Sequence, residues 1–128
     1  MIALPVAGAF HTRFMAPAED AMREHAETVD VTDPVRPLLS NADGSVVPSG
    51  AEALQRLVAQ VTRPVRWDAC MATLRELGVT AVVELPPAGT LVGLVKRELK
   101  GTATLALKTP DQLDKAVDII TEHAGVDS

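Results

Sequence analysis

The chain has 128 residues and a formal net charge of -5, with 47% hydrophobic and 23% charged residues, a composition ordinary for one globular domain or part of one. Its excess of carboxylates predicts no nucleic-acid partner, because neutralising phosphates requires a basic face. No segment reaches the roughly 20 apolar residues of a membrane span, and the first ten residues lack the charged start of a signal peptide. We therefore expect a soluble, cytoplasmic protein with no membrane partner.

The N-terminal segment predicts a strand, a loop and a helix. Residues 2–6 are apolar and precede a Gly-Ala pair, which predicts a short strand that leads into a tight loop at His11. Beyond this loop, apolar residues recur at helical spacing among charged ones. This pattern predicts an amphipathic helix from Thr12 to about Val29.

The next segment predicts a strand, a turn and a second helix. Residues 38–40 predict a short buried strand, and the Asn-Ala-Asp-Gly sequence at 41–44 predicts a turn. Ser49 and Glu52 match a capping box, in which the serine oxygen and the glutamate each bind a backbone N–H at the helix start. The apolar residues that follow predict a helix that ends near Gln60.

The C-terminal half continues the alternation. A helix over 68–77 ends at Gly78, as expected for a helix closed by a residue in the left-handed conformation. The aliphatic run over 79–85 predicts a strand covered on both faces. The remaining predicted elements are a helix over 90–100, a strand over 102–107 and a helix that begins with a capping box at 109–112.

This order of elements predicts the fold class. Strands that alternate with helices are typical of a parallel sheet between helix layers. We therefore expect an α/β fold, a partial doubly wound, mainly parallel sheet of four strands with flanking helices. Half of a doubly wound sheet has an unpaired edge and uncovered apolar faces, so we also expect the isolated chain to be poorly soluble and to lack a sharp two-state unfolding transition.

Five short motifs follow one another in order over nearly the whole chain. They are Gly8–Thr12, Met15–Ala18, Leu39–Asn41, Gln60 with Pro64–Trp67, and Val83–Leu85 with Leu91 and Lys96-Arg97. In this order and spacing they closely resemble the C-terminal part of malonyl-CoA:acyl-carrier-protein transacylase. The resemblance implies that residues 1–128 are the C-terminal portion of an acyltransferase domain, within its α/β-hydrolase-like large subdomain.

The resemblance also implies an activity and its site residues. A serine would take the malonyl group from malonyl-CoA and pass it to the phosphopantetheine thiol of acyl carrier protein, in fatty-acid biosynthesis, without a cofactor or a metal. His11 matches the catalytic base, and the carbonyl of Gln60 matches the group that orients its ring. Phe10 precedes the histidine as in polyketide synthase domains that select malonyl over methylmalonyl groups.

The family's nucleophile motif is missing from these residues. The serines are Ser40, Ser45, Ser49 and Ser128, and none lies in a G-x-S-x-G sequence. We expect that the N-terminal portion with the nucleophile elbow is absent and that the chain alone is inactive. Two alternatives stay open: one subunit of a split acyltransferase, whose partner chain supplies the N-terminal half, or a non-catalytic fragment that binds acyl carrier protein.

Other chemically capable residues have structural interpretations. Cys70 is the only cysteine, and we expect a packed thiol, since a reactive cysteine needs an accessible, electropositive site. His25 and His123 are expected to be solvated. A basic face for carrier protein or CoA phosphates is an alternative to ordinary solvated charges for Arg63, Arg66, Lys96, Arg97 and Lys100.

Overall fold

The computed structural model describes residues 8–124. The strand predicted over residues 2–6 lies outside them. The described helices are α1 (Ala16–Ala26), α2 (Gly50–Gln60), α3 (Trp67–Glu76), α4 (Leu91–Glu98) and α5 (Leu113–His123), the strands are β1 (Ala81–Glu84) and β2 (Ala103–Ala106), and 3₁₀ turns form at Arg13–Met15 and Pro110–Gln112. None of the helices within this range is long and apolar enough to cross a bilayer.

The chain divides between Ala72 and Thr73 into two units. The first unit contains α1, α2 and the start of α3. The second contains the sheet with α4 and α5. The fold is α/β, with a small parallel sheet and flanking helices.

In the first unit, side-chain oxygens cap the 3₁₀ turn that precedes α1 and the start of α2. The Thr12 hydroxyl accepts from Phe14 N at 3.3 Å, which starts the 3₁₀ turn that leads into α1. The Ser49 hydroxyl accepts from Glu52 N at 3.2 Å, which starts α2. Glu52 itself binds Arg56 one helical turn later, so the described contacts contain only the serine half of the predicted capping box.

The strand predicted over 38–40 is wrong. This segment forms a single antiparallel bridge between Leu39 and Val46, with Ser40 N donating to Ser45 O at 2.9 Å and Val47 N donating to Leu38 O at 2.8 Å. The polar turn between these residues closes immediately, so the chain pairs with itself as a tight hairpin. A parallel strand needs a crossover connection of a dozen or more residues instead.

The second unit is built on a parallel β-α-β arrangement. Strand β1 pairs with β2 in parallel, from Ala81 opposite Ala103 to Glu84 opposite Ala106. Helix α4 connects the two strands and buries Val95 completely. Within the described residues the sheet has two strands where four were predicted. Strand β1 is half-buried at its first three positions, so the prediction that it is covered on both faces is also wrong here.

The end of α3 agrees with the sequence. Gly78 has φ +67°, Gly78 N donates to Arg75 O at 3.1 Å and Val79 N donates to Leu74 O at 3.1 Å. This pair of bonds is the Schellman closure that a left-handed residue allows after the last helical turn. The predicted helix end at Gly78 is thus confirmed.

Large apolar side chains remain exposed in both units. Val35 is 97% exposed, Phe14 71% and Leu85 68%. Exposed apolar surface favours association over solution. The poor solubility predicted for the isolated chain rests on these side chains.

The most buried position of β1 is a glutamate. Glu84 accepts hydrogen bonds from three backbone N–H groups at the start of α4: Gly89 at 2.9 Å, Leu91 at 3.0 Å and Val92 at 3.0 Å. These N–H groups have no partner inside the helix, and the positive end of the helix dipole favours an anion. The bonds, led by that from Val92, lower the pKa of Glu84.

Glu84→Gln is expected to destabilise the second unit at neutral pH, so that the backbone amides of β1 and β2 lose roughly tenfold of their protection against hydrogen exchange. Because the folded pKa lies below the ordinary 4.5, ionised Glu84 stabilises the fold above that pH. This stabilisation is lost as pH falls through the folded pKa. The difference in hydrogen-exchange protection between wild type and variant should therefore shrink between neutral pH and about pH 3. Glu98→Gln, at an exposed position in the same unit, is the control; an equal loss in the control contradicts the capping role.

Gly44 and Gly78 both have positive φ but differ in surroundings. Gly44 has φ +76°, and a Cβ there would lie 2.4 Å from the carbonyl carbon of Ala69, whereas a Cβ at Gly78 would meet nothing within 4 Å. Gly78→Ala should cost about 1 kcal/mol of unfolding free energy from backbone strain alone. Gly44→Ala should cost more than about 3 kcal/mol, because the clash adds to the strain. Native-state amide hydrogen exchange at low protein concentration measures both losses, and equal losses would refute the clash.

Candidate active site

The structure places His11 against the end of α2. The ring Nδ1 lies 2.8 Å from the backbone carbonyl oxygen of Gln60. A carbonyl oxygen only accepts hydrogen bonds, so Nδ1 carries the hydrogen. In the neutral ring, Nε2 is then left as a lone-pair acceptor, which is the state that a general base requires.

The backbone of His11 is held at the same place. Its φ is +61°, the left-handed conformation that is uncommon for residues other than glycine. In this conformation His11 N donates to Val61 O at 3.2 Å. Two successive carbonyls, of Gln60 and Val61, thus bind the ring and the main chain of one residue.

Proline makes the Gln60 carbonyl available. In a continuing helix this oxygen would accept from the N–H four residues later, which is the position of Pro64. Proline has no N–H. The oxygen instead accepts from Arg63 N at 3.3 Å and from the His11 ring.

The side chain of Gln60 has a separate function from its carbonyl. It is 9% exposed, and its Nε2 donates to Arg63 O and to Pro64 O, both at 2.9 Å. An amide group has two N–H hydrogens, and both are used. The sequence predicted a role only for the Gln60 backbone carbonyl, and this side-chain contact was not predicted. The feature that could have indicated it is an amide side chain four residues before a proline.

A side-chain contact connects α1 to the chain just after α2. The Thr62 hydroxyl donates to the Glu19 carboxylate, and Glu19 also pairs with Arg23 on α1. Sequence reasoning assigned no role to Glu19 or Thr62. Because α1 follows directly from the His11 loop, this contact holds that loop near the end of α2.

The end of α2 also contributes charge. Terminal carbonyls carry the negative end of the helix dipole, which stabilises a cation within the last turn. The His11 ring lies against such a carbonyl. The ring therefore lies at the negative end of the α2 dipole.

Phe10 lies beside His11 in the same loop, and its side chain is largely exposed. It is 56% exposed, and its ring packs against Gly8, where an added Cβ would come within 3.3 Å of a ring carbon. The structure thus places Phe10 next to His11 in the same loop, with a ring face free for contact.

The other candidate residues have structural roles or ordinary surroundings. Cys70 is 1% exposed, its thiol donates to Ser40 O at 3.4 Å, and burial raises its pKa, which confirms a packed thiol. The Arg66 guanidinium donates two hydrogen bonds to the Asp68 carboxylate, which lowers the pKa of Asp68 to about 2. The positive charge of Arg66 is therefore balanced by this ion pair. His123 is half-buried, with Nδ1 3.0 Å from Thr80 Oγ1.

Comparisons with known proteins identify what the chain as a whole is similar to. No protein-family model matches the chain. Malonyl CoA-acyl carrier protein transacylase of Mycobacterium tuberculosis is 56% identical over 117 residues, covering 91% of this chain and 39% of the relative. The protein of the same name from Bacillus subtilis is 31% identical over 122 residues, covering 95% of this chain and 38% of the relative.

Solved structures give the same result. A crystal structure of MCAT from Mycobacterium tuberculosis superposes with TM-score 0.82 at 57% identity, covering 88% of this chain and 37% of that one. An acyl-carrier-protein S-malonyltransferase from Burkholderia pseudomallei superposes with TM-score 0.78 at 36% identity, covering 91% of this chain and 38% of that one. The chain spans about two fifths of the length of these proteins. By sequence and by structure, the chain is similar to the C-terminal part of the malonyl CoA-acyl carrier protein transacylases.

Proposed function

We propose that these residues form the base half of a malonyl-transfer site, with His11 as the general base and the Gln60 carbonyl as its orienting group. The observation that carries the proposal is the 2.8 Å contact between His11 Nδ1 and Gln60 O. It fixes the proton on Nδ1 and leaves Nε2 free to accept another. The names of the relatives supply the substrates, malonyl-CoA and acyl carrier protein.

In each half of the proposed reaction, Nε2 accepts one proton and then gives it up. In the first half, Nε2 takes the proton of a serine hydroxyl as its oxygen attacks the thioester carbonyl. The C–S bond then breaks, and the CoA thiolate leaves with the proton. In the second half, the carrier's phosphopantetheine thiol gives its proton to Nε2 and attacks the acyl-serine ester. The serine oxygen leaves and regains the proton.

The serine of this reaction does not come from a G-x-S-x-G sequence within the 128 residues. A base without its nucleophile gives no ping-pong transfer. We therefore propose that activity requires the remaining part of a transacylase. The relatives contain this part, and these 128 residues do not cover it. The site can be tested by adding a partner polypeptide that carries that part.

The 128-residue chain alone should form no malonyl carrier protein from malonyl-CoA. Mixing it with the complementary N-terminal part of the Mycobacterium tuberculosis relative should restore transfer. His11→Ala should then reduce the rate by about 10²–10⁴-fold, the usual contribution of a general base. His25→Ala, at an exposed histidine on α1, is the matched control and should keep the restored rate. Mass spectrometry of the carrier protein measures the product.

Two results would contradict this proposal. A restored pair that stays fully active with His11→Ala would exclude His11 as the base. No transfer by any pair, together with carrier-protein binding that survives His11→Ala and weakens with Arg97→Glu, would favour the non-catalytic binding fragment instead.

Phe10 is proposed to set acyl selectivity. Its position directly before the base and its open ring support a steric role against an α-methyl group on the acyl chain. Such a role acts on the ratio of two substrates, while the base acts on both equally.

In the restored pair, Phe10→Ser should raise methylmalonyl transfer relative to malonyl transfer by roughly tenfold, the scale on which an apolar contact discriminates one carbon. Phe14→Ser is the control, since Phe14 is also exposed and lies four residues further on. Competition between the two CoA esters gives the ratio directly. An unchanged ratio for Phe10→Ser, or an equal change for Phe14→Ser, would remove Phe10 from the selectivity role.

A further inference from the structure

The contact between His11 and Gln60 depends on the shape of the chain after α2. The Gln60 and Val61 carbonyls both face His11, although a backbone leaving a helix can turn in several directions. Something must hold the chain reversal over residues 61–64. Any residue type offers a carbonyl at position 60, so the carbonyl alone does not require glutamine.

The amide of Gln60 provides that restraint. Its Nε2 donates to the carbonyls of Arg63 and Pro64 at 2.9 Å each, while the backbone carbonyl of the same residue accepts from Arg63 N at 3.3 Å. Arg63 is thus bound through both its backbone N–H and its carbonyl by one residue. Gln60 thus holds the chain reversal through both its side-chain amide and its backbone carbonyl.

The amide is also chemically specific at this place. Gln60 is buried, with 9% of its surface exposed. The groups that it binds are two carbonyl oxygens, which only accept. A carboxylate of the same shape would face them with no hydrogen to donate, and an apolar side chain would leave both oxygens without this partner.

We propose that the Gln60 side chain is a positioning group for the base: its amide fixes the chain reversal that turns the Gln60 and Val61 carbonyls toward His11. This inference rests on the proposed function for its catalytic meaning. Its physical content, the orientation and tautomer of His11, is independent of any activity.

The test is the tautomer of His11 in the 128-residue chain, read from ¹⁵N shifts of labelled imidazole rings at a pH where the ring is neutral. Signals are assigned with His25→Gln and His123→Gln. The wild type should show the Nδ1–H form, whereas imidazole free in water prefers the Nε2–H form. Gln60→Glu should shift the ratio toward the free form at least about fivefold, the factor for one typical hydrogen bond.

The matched control is Gln55→Glu, the same change on an exposed glutamine of the same helix. It should leave the wild-type ratio unchanged. Amide spectra verify that each variant is folded, and Gln60→Met, uncharged and similar in length, replaces Gln60→Glu if the latter fails to fold. A folded Gln60 variant that keeps the wild-type ratio, or a control that changes equally, overturns the proposal.

The outcome separates this inference from the proposed function. If the His11 tautomer is unchanged in the Gln60 variant while His11→Ala abolishes transfer in the restored pair, the positioning role fails and the base stands. If the tautomer shifts but His11→Ala leaves transfer intact, Gln60 positions a histidine that is not the base.

Discussion

The hydrogen bond from the His11 ring to the Gln60 carbonyl is the interaction on which the rest of the site depends. It exists because Pro64 cannot donate to that carbonyl, so the last turn of α2 has an oxygen to spare. The same turn gives the Val61 carbonyl to the backbone of His11, which holds it in a left-handed conformation. One helix end therefore sets both the direction of the ring and the conformation of the loop that carries it.

In the proposed site, an uncharged carbonyl orients the base, whereas hydrolases with a serine triad use a carboxylate. A carboxylate would stabilise the protonated ring more strongly, but a thioester makes a smaller demand. Its leaving group is a thiolate, whose conjugate acid has a pKa of about 8.5, far below that of an amine or alcohol. The helix end supplies partial negative charge to the ring without a buried ion. For the proposed transfer between thiols, an uncharged orienting group at Gln60 is therefore sufficient.

The sequence predicted the elements whose signals are local. Caps and turn residues identified α2 and the end of α3, because a serine oxygen or a left-handed glycine acts within a few residues. It failed at residues 38–40, where a short, mostly apolar segment looks the same in a parallel strand and in a hairpin. The anion role of Glu84 and the amide role of Gln60 were missed for a related reason. In both cases the side chain binds backbone groups of the loop that follows it, and hydrophobic periodicity does not indicate such a contact.

The hydrogen bonds that orient His11 are all made within the first unit, by residues that follow it in the chain up to Val61 and Pro64. The geometry of the base therefore needs neither a nucleophile nor the parallel sheet. If a second polypeptide supplies the serine, it meets a base whose tautomer and direction are already fixed. The rate of such a pair is then governed by how much of the chain is bound, which follows the partner's concentration relative to its Kd. Orientation of His11 before association affects the rate of transfer within the bound pair. The strength of association depends instead on the exposed apolar surfaces.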